Sequence, residues 1–460
     1  MSHFHPNILS PDPERRQRIL PVLDAALDAV DPAAAVARVL QRSDEVLLVG
    51  EKQYRLSDYQ RVFALAFGKA AAPMARSILG LGLHPDDGLV LTKYGHGPEN
   101  PAAIAPLTLI EAGHPSPDAN GVAAARRVAA IARSATADDL VILLISGGGS
   151  SLLTLPADDL TLADLKQTTR LLLACGATIN EINAVRKHLS QVKGGQLARL
   201  AAPATVISLI LSDVIGNPLD VIASGPAAPD PTTWADAWAV IEKYHLAADL
   251  PPAVRGRLQA GLAGAFPDTP KPGDPLFARV QNAIAGDNAI AAEAAQRAAA
   301  SAGFDAAILS TFVQGEAREV ARVLVGLGRE VVAHRRPAAP PACLILGGET
   351  TVTLRGHGKG GRNQEMALAA AIDLAQTPDA APIIIAALAT DGTDGPTDAA
   401  GGLADAFSVA RGEAAGLNAQ THLDDNNAWP WLKAAGDLLS TGPTRTNVND
   451  LYFVFVLERR

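Results

Sequence analysis

The segment Cys343–Ala375, with the sequence CLILGGETTVTLRGHGKGGRNQEMALAAAIDLA, holds in one run the signals that decide how this chain folds. An apolar run from Cys343 to Leu346 stops at paired glycines, and a short alternating segment then leads into a glycine-rich turn. A pattern of small residues with helical spacing follows from Asn363 to Ala375. The segment therefore predicts a strand, a tight turn and a helix, the unit from which α/β domains are built.

The glycine-rich turn from Gly356 to Gly361 carries Lys359 and is followed by Arg362. Glycine lets the backbone bend tightly and expose its N–H groups, and a helix start directs further N–H groups outward. We therefore expect this turn to bind a phosphate or a carboxylate. Three of its glycines also fit the dinucleotide pattern G-x-G-x-x-G, but no strand-end acid follows at the expected distance, so a nicotinamide site is not favoured.

The composition limits the class of protein. With 460 residues the chain should form two or three domains, and its 48% of hydrophobic residues suffice for real cores. A net charge of -9 argues against nucleic acid or an anionic membrane as the main partner. Cys175 and Cys343 lie in apolar surroundings and are expected to be reduced thiols. Without a signal peptide or a run of bilayer length, the sequence predicts a soluble cytoplasmic protein.

Apolar runs alternate with helical patterns along the chain, which is typical of a parallel sheet with helices on both faces. A first helix is expected from Pro11 to Gln41, with a break at Asp31-Pro32. The proline-rich, weakly periodic stretch from about Ala227 to Ala278 predicts a domain seam, giving domains of 1–275 and 276–460. The predicted strands are Arg61–Phe67, Gly88–Thr92, Leu107–Glu111, Asp139–Ile145, Ala204–Leu211, Val280–Ala285, Ala306–Leu309, Cys343–Leu346, Ile383–Ala389 and Tyr452–Leu457.

Polar or glycine-rich signatures follow five of these strands, and ligands of open α/β sheets bind beyond the carboxyl ends of strands. A lysine at a helix start opposes the helix dipole, so an anion partner explains Lys69 better than a structural role. The turn Ser146–Ser151 either cradles phosphates through its N–H groups or is only a tight turn. It is not a Walker A loop, and Ser150 is a weak candidate nucleophile. The five signatures are Lys69, Gly147–Gly149, Asp213, Glu349 and Asp391.

The helix predicted from Asn180 to His188 either presents a solvated charged face or binds a substrate carboxylate, which would suit Arg186. His188 is expected to be packed and hydrogen-bonded rather than to act as a base. Asp213 is the kind of carboxylate that holds Mg²⁺ or accepts a hydroxyl proton. Asp391, Asp394 and Asp398 crowd one loop, where they bind a cation or merely solvate the loop, and we favour the cation.

These features together describe phosphoryl transfer. That reaction needs phosphates held in line with an acceptor and the charge on the transferred group neutralised, and it needs little covalent chemistry from the protein. Concentrated cations in an acidic protein suit a small anionic acceptor.

The motifs that carry this chemistry resemble those of the class II glycerate kinases, whose C-terminal domain is of the MOFRL type. The matching segments are AFGKAA, GHPSPD, LISGGGSSLL, INEINAVRKHLSQVKGGQLA, LSDVIGNPLDVIASGP, GGETTVT, GKGGRNQE, ATDGTDGPTDAAG and GPTRTNVNDL, and they span nearly the whole chain in order. The resemblance implies a larger Rossmann-like N-terminal domain, a smaller α/β C-terminal domain and an active-site cleft between them. It implies ATP-dependent phosphorylation of D-glycerate, most often to 2-phosphoglycerate.

The resemblance also implies roles for individual residues. Lys69 and Arg362 would act on the transferred phosphoryl group, with Asp213 as the third catalytic candidate. Mg²⁺ would be held by Asp213 and Asp391. D-glycerate would lie near Asn180, Asn183, Arg186 and Ser146, and ATP against Gly147, Gly148, Gly149, Ser150, Gly347, Gly348, Glu349, Lys359 and Asn363.

Alternatives and departures accompany this interpretation. Relatives are often labelled hydroxypyruvate reductases, so an NAD(P)H-dependent reductase is the alternative enzyme, and it depends on the Gly356 turn alone. A non-catalytic sensor of sugar acids or nucleotides is the third hypothesis, and the oligomer is expected to be a homodimer or a monomer. The chain departs from the family pattern at Ala227, Asn217 and Arg445, and the long cation at Arg445 would narrow the cleft.

Overall fold

The computed structural model describes residues 2–4 and 13–458, so the predicted start of the first helix at Pro11 lies outside the described residues. The first helix, α1, runs from Pro13 to Ala29, and the predicted break at Asp31-Pro32 is confirmed. The chain divides into two compact units, Pro32–Ala285 and Met1–Asp31 with Gly286–Arg460. Within the described residues, no helix has both the length and the apolar character of a membrane span.

The N-terminal unit is built around a six-stranded sheet. Its strands are β4 (Arg61–Phe67), β5 (Asp87–Lys93), β6 (Thr108–Ala112), β7 (Asp139–Ile145), β8 (Thr205–Leu211) and β9 (Val280–Gly286). A separate antiparallel sheet precedes them in the sequence and consists of β1 (Leu40–Ser43), β2 (Val46–Val49) and β3 (Lys52–Arg55). The strand order is β6-β5-β4-β7-β8-β9, and the four successive pairs from β6 to β8 are parallel. This is the strand order of the Rossmann fold, with a topological switch between β4 and β7.

Helices cover this sheet, which is why its central strands are apolar along their whole length. Residues of β4, β5 and β7 share one buried cluster with residues of α4 and α8, and α3 contacts β4, β5 and β7. The helices of this unit are α2 (Pro32–Val39), α3 (Ala71–Gly80), α4 (Ala119–Ser134), α5 (Gly149–Leu152), α6 (Leu162–Ala174), α7 (Ile179–His188), α8 (Gln196–Ala201), α9 (Trp234–Lys243) and α10 (Pro252–Leu262).

The C-terminal unit has a mixed sheet of order β10-β11-β15-β12-β13-β14. Its strands are β10 (Asp305–Glu316), β11 (Ala342–Thr351), β12 (Ile383–Ala389), β13 (Gly401–Asp405), β14 (Leu438–Leu439) and β15 (Asp450–Val456), and its further helices are α11 (Asn288–Ser301), α12 (Ala317–His334), α13 (Arg362–Ala375), α14 (Ser408–Ala414), α15 (Ala419–Asp424) and α16 (Ala428–Ala435). Strands β10 and β11 are parallel, whereas β15 lies antiparallel between β11 and β12. The α/β class predicted from the sequence is confirmed in both units.

The first helix packs with the C-terminal unit, although the sequence-based range for the N-terminal domain was 1–275. Its apolar side chains, among them Val22, Leu23 and Leu27, are fully buried, and α1 contacts the alanine-rich helix α11. The units also divide at Ala285 and Gly286 rather than at 275 and 276. The first difference arises because hydrophobic periodicity identifies a buried helix face without identifying what buries it. The second arises because β9 joins the sheet of the N-terminal unit, which an apolar run does not reveal.

Arg362 joins three elements of the C-terminal unit. The guanidinium stands at the first residue of α13 and donates to both carboxylate oxygens of Asp450 on β15, at 2.5 and 3.2 Å, and to Glu349 Oε1 on β11, at 2.7 Å. Asp450 is almost completely buried. Burial raises the pKa of Asp450, and the charge of Arg362 opposes that rise. The charge of Arg362 therefore offsets part of the free-energy cost of burying the Asp450 carboxylate.

Replacing Arg362 by alanine should destabilise the C-terminal unit, because the Asp450 carboxylate would stay buried without its cation. We expect a loss of about 3 kcal/mol in the free energy of unfolding. This value is at the lower end of the range for breaking a buried ion pair, because Arg362 itself is partly exposed. Urea denaturation of Arg362→Ala and of Arg362→Ala/Asp450→Asn measures it, and the double variant should regain part of the loss. Glu349→Gln, at a half-exposed partner, is the control and should change stability by about 1 kcal/mol or less. Wild-type stability in Arg362→Ala would contradict this role.

Candidate functional site

The ends of β4 and β7 meet at the centre of the parallel sheet. The Lys69 N–H donates to the Gly147 carbonyl at 2.9 Å, and the Ala70 N–H donates to Ser146 Oγ at 3.0 Å. Gly68 has a φ of +127°, and a Cβ there would lie 2.2 Å from Ser146 Oγ. Only glycine permits this approach. Lys69 is therefore fixed directly beside the turn that follows β7.

The turn after β7 offers backbone donors. Neither the Gly147 N–H nor the Gly148 N–H donates a hydrogen bond to any residue that the structure describes. A Cβ at Gly147 would meet Asp213 Oδ2 at 2.2 Å, so the carboxylate from the end of β8 lies against this turn. A Cβ at Gly148, whose φ is +83°, would meet the His114 ring at 3.0 Å and Lys69 Cγ at 3.3 Å. The structure thus brings Lys69, Gly147–Gly149 and Asp213 together, as the strand-end argument predicted.

Cations dominate the strand ends around this turn. Among the described residues, no hydrogen bond or ion pair of the Lys69 ammonium is found. Burial, and then the charges of Lys69, Lys93 and His96, lower the pKa of His114 to about 4. Burial makes the larger contribution to this shift, and the contribution of Lys69 and Lys93 indicates a positive potential that favours a bound anion. Sequence reasoning missed His114 and Lys93, although both follow predicted strands and the same strand-end rule would have found them.

A cavity of about 1100 Å³ opens beside the turn within the N-terminal unit. Its walls come from the turn itself, from the loop after β6 and from helices α6 and α7. Four cations line it, namely Lys166, Arg170, Arg186 and Lys193, and no described lining residue is an aspartate or a glutamate. A cavity of this size and charge fits an anionic small molecule.

Arg186 is the predicted substrate residue that the cavity supports most strongly. It lies on α7 and is half-buried, and no hydrogen bond or ion pair to its side chain occurs among the described residues. Burial lowers its pKa, and no carboxylate offsets that effect. A guanidinium in this state lacks the planar anion that it normally binds.

The other three predicted substrate residues have different positions. Asn183 is buried, and its Oδ1 accepts a hydrogen bond of 3.0 Å from Ser224 Oγ, which lies 2.7 Å from Ser150 Oγ. Asn183 therefore supports Ser150, which lines the cavity, instead of lining it. Ser146 uses its hydroxyl to hold Ala70. Asn180 is exposed on the first turn of α7 and lies outside the described lining of the cavity.

Ser224 lies in a backbone segment with unusual dihedral angles. Ala223 and Ser224 have φ values of +50° and +61°, although neither is glycine. Such left-handed residues cost free energy and persist where surrounding structure holds them, often at functional sites. Hydrogen bonds of Ser224 Oγ with Ser150 and Asn183, and one from the Gly194 N–H to the Ser224 carbonyl, hold this segment.

The expected packing of His188 is confirmed. Its Nδ1 lies 2.7 Å from the Ala184 carbonyl oxygen, and its Nε2 lies 2.9 Å from Asp268 Oδ1. Lys187 is likewise structural, because its buried ammonium pairs with Asp220 and Asp230.

In the turn Gly356–Gly361, where the sequence predicted an anion site, four of the six N–H groups are engaged in hydrogen bonds, and anion binding there stays a prediction. The N–H groups of Arg355 and Gly356 both donate to Asn426 Oδ1, and those of His357, Gly358 and Lys359 donate to groups of Asp425 and Asn427. The N–H groups from Arg355 to Lys359 are therefore already used, whereas those of Gly360 and Gly361 donate to no residue that the structure describes. The Lys359 ammonium lies over the Trp429 ring, 4.1 Å from its centroid. The reductase hypothesis depended on this turn alone, and these contacts add no support to it.

The remaining predicted nucleotide residues of the C-terminal unit have packing roles. A Cβ at Gly347 would lie 1.7 Å from Asn288 Oδ1, and one at Gly348 would lie 2.0 Å from the Val313 carbonyl oxygen. Glu349 binds Arg362. Asn363 is completely buried at the start of α13, where its side-chain amide donates to Asp394 at 3.3 Å. Close packing accounts for the two glycines, and nucleotide binding at these four residues stays a prediction.

The aspartates of the loop after β12, where we favoured a cation from the sequence, make hydrogen bonds within the C-terminal unit, and a cation at Asp391 stays a prediction. Asp394 accepts hydrogen bonds from the N–H groups of Asn363 and Gln364 at the start of α13, and burial raises its pKa to about 7. Asp391 Oδ1 accepts from the Thr393 N–H, and Asp398 accepts from the Trp429 indole. Across the described residues, no group of three or more His, Cys, Asp or Glu side chains is arranged to hold a metal.

Comparison with known proteins gives consistent matches. Residues 18–259 match the family described as "Domain of unknown function (DUF4147)", and residues 342–450 match the MOFRL family. The glycerate 2-kinase of Pyrococcus horikoshii is 42% identical over 442 residues, covering 96% of this chain and 97% of that protein. A protein of Agrobacterium vitis that is called a hydroxypyruvate reductase is 40% identical over 448 residues, covering 97% and 95%.

Among solved structures, the crystal structure of glycerate kinase from Thermotoga maritima matches with a TM-score of 0.86 and 39% identity, over 97% of this chain and 100% of that one. The two family matches occur in the order that the sequence motifs predicted, and the alignments with the relatives extend over both matched regions. The chain therefore belongs to the two-domain glycerate kinase family, in which a DUF4147 region precedes a MOFRL region.

Proposed function

We propose that this protein is a D-glycerate 2-kinase that transfers the γ-phosphoryl group of ATP to the 2-hydroxyl of D-glycerate. The observation that carries the proposal is the Lys69 ammonium, which has no counter-ion among the described residues and stands beside the free N–H groups of Gly147 and Gly148. The names of the relatives from Pyrococcus horikoshii and Thermotoga maritima support the same reaction.

In this proposal Lys69 and the turn bind the phosphoryl group. The transferred group carries its charge on three equatorial oxygens, so an ammonium on a fixed backbone position and two fixed N–H donors stabilise it. Arg362 was predicted to be a second such cation. Because Asp450 and Glu349 already offset its charge, we assign the phosphoryl group to Lys69 and the turn.

Asp213 supplies the carboxylate of the site, since it lies against Gly147 at the end of β8. It is suited to orient the acceptor hydroxyl and take its proton as the phosphoryl group moves. Magnesium ions usually bind one or two protein carboxylates together with substrate phosphates, so Asp213 also fits as the residue that would hold Mg²⁺. When bound, Mg²⁺ supplies charge neutralisation to the phosphates. Asp391 remains a second predicted ligand.

Arg186 is the residue that we assign to the carboxylate of D-glycerate. A guanidinium makes two parallel hydrogen bonds with a carboxylate, and Arg186 faces a cavity lined by cations. That contact orients the acceptor and leaves its hydroxyl groups to be positioned toward the turn. We further propose that the enzyme works in the cytoplasm, which suits its two unpaired cysteines, Cys175 and Cys343.

The direct test supplies purified protein with ATP, Mg²⁺ and D-glycerate and measures ADP release. We expect ADP to form in step with a phosphoglycerate that phosphorus NMR identifies as the 2-phosphate. L-glycerate and a reaction without acceptor are the controls. Absence of ADP above the acceptor-free background would contradict the kinase, and oxidation of NADH that depends on hydroxypyruvate would favour the reductase.

Replacing Lys69 by alanine should remove transition-state stabilisation while leaving the fold intact. By analogy with loss of one preorganised donor, we expect kcat to fall about 100- to 1000-fold. The melting temperature should stay near that of the wild type, because no described residue pairs with the ammonium. Lys52→Ala, at an exposed lysine of β3, is the matched control and should keep full activity. Near-normal turnover in Lys69→Ala would assign this lysine to structure.

A further inference from the structure

Lys193 is a buried lysine to which the sequence assigned no role. It follows α7, and only 4% of its surface is exposed. Its ammonium donates to the Ser150 carbonyl and, at 3.0 Å, to the Leu153 carbonyl. An ammonium has three N–H groups, and no acceptor for the third is found among the described residues. The side chain also lines the cavity, so a ligand bound in the cavity can accept a hydrogen bond from the third N–H group.

Lys193 shares the cavity with Arg186, and neither side chain has a carboxylate partner among the described residues. Two cations held close together and away from water raise the free energy of the protein unless an anion offsets them. The remaining cations of the lining, Lys166 and Arg170, are exposed on α6 and retain water as a partner. The uncompensated positive charge is therefore concentrated at Arg186 and Lys193.

We propose that Lys193 and Arg186 together bind the carboxylate of the acid substrate, with Lys193 as a further binding residue. This inference rests on the proposed function, because it takes that acid to be D-glycerate. The planar guanidinium of Arg186 can engage both carboxylate oxygens, and the third N–H of Lys193 adds a charge-assisted hydrogen bond.

Lys193 also connects the bound acid to the phosphoryl-binding turn. The two carbonyl groups that it holds, those of Ser150 and Leu153, lie within and directly after α5, which begins at the end of the turn. Binding of a carboxylate keeps the ammonium charged, and a charged donor binds carbonyl oxygens more strongly than a neutral amine does. Lys193 thus positions the turn when the acid is present.

The charge of Lys193 is sensitive to pH near neutrality. Burial, and then the charge of Arg186, lower the pKa of Lys193 to about 7. Beside it, Lys187 pairs with Asp220 and with Asp230, which lies next to Gly194. The other titratable or charged groups that line the same cavity are Lys166 and Arg170 from α6, Arg186 from α7, and His114, whose pKa is about 4.

The direction of the pH effect follows from this lowered pKa. Below pH 7 the free protein already carries a charged Lys193, and a carboxylate binds without proton uptake. Above pH 7 the free amine is neutral, so binding must take up a proton and weakens as the pH rises. The KM for D-glycerate should therefore increase from pH 7 to pH 9, while the KM for ATP should show no such increase.

The experiment compares wild type, Lys193→Met and Lys193→Arg by steady-state kinetics from pH 6 to pH 9. We expect Lys193→Met to raise the KM for D-glycerate roughly 10- to 100-fold at pH 6, as for loss of a hydrogen bond to a charged group. The KM of Lys193→Met for D-glycerate should stay constant from pH 6 to pH 9, and its KM for ATP should equal that of the wild type. Lys193→Arg keeps a cation at pH 9, so its KM for D-glycerate should no longer rise with pH. Lys52→Met is the matched surface control.

If Lys193→Met does not fold, as judged by circular dichroism, the pH profile of Lys193→Arg against wild type decides. The inference would be overturned if the folded variants had the same KM for D-glycerate as the wild type at every pH. That result would not contradict the proposed kinase activity. If the wild type releases no ADP, the kinase fails, and calorimetric titration with D-glycerate alone decides the inference. Binding by wild type that Lys193→Met loses would support it, whereas equal binding, or none in either protein, would overturn it.

Discussion

The hydrogen bond from the Lys69 N–H to the Gly147 carbonyl is the contact on which the candidate site depends. It joins the segments that leave two neighbouring strands, β4 and β7, at the point where the strand order of the parallel sheet reverses. Both strands are anchored by apolar side chains on both faces, so their ends are fixed relative to each other. A flexible lysine stem and a glycine turn thereby become parts of one rigid anion site.

The three groups at this point have complementary electrostatic roles. Lys69 contributes a full positive charge, the Gly147 and Gly148 N–H groups contribute fixed dipoles, and Asp213 contributes a carboxylate that lies against the turn. The cavity beside them adds Arg186 and Lys193, again without a carboxylate among its described lining residues. This separation of an acid from surrounding cations is what a phosphoryl transfer to an anionic acceptor requires.

Much of this arrangement could be predicted from the sequence, because it depends on local patterns and one topological rule. The apolar runs at Asp139–Ile145 and Ile383–Ala389 are strands with those same bounds. The strand-end rule then placed Lys69, Gly147 and Asp213 together without knowledge of the strand order. Lys193 could not be found in this way, because its burial comes from contacts with residues some 40 positions earlier. The position of β15 between β11 and β12 was equally hidden, since an apolar run does not specify its neighbours.

Two glycine-rich segments illustrate the limit of pattern reasoning. Both Ser146–Gly149 and Gly356–Gly361 follow strands and precede helices, and both look like anion-binding turns. In the second, the N–H groups of Gly356 to Lys359 donate to Asp425, Asn426 and Asn427, residues about 70 positions away in the sequence, and those of Gly360 and Gly361 donate to no described residue. Glycine there serves close packing, and the same residue type in the first turn leaves donors available. Composition cannot distinguish these cases, because the difference lies in a distant partner.

The most direct test of the central claim is a crystal structure of the protein with ADP, Mg²⁺ and D-glycerate bound. The account predicts that the terminal phosphate of the nucleotide, or the acceptor hydroxyl beside it, lies within hydrogen-bond distance of the Lys69 ammonium and the Gly147 and Gly148 N–H groups. A nucleotide whose phosphates lie on the Gly356–Gly361 turn, with Lys69 in contact only with water, would contradict it.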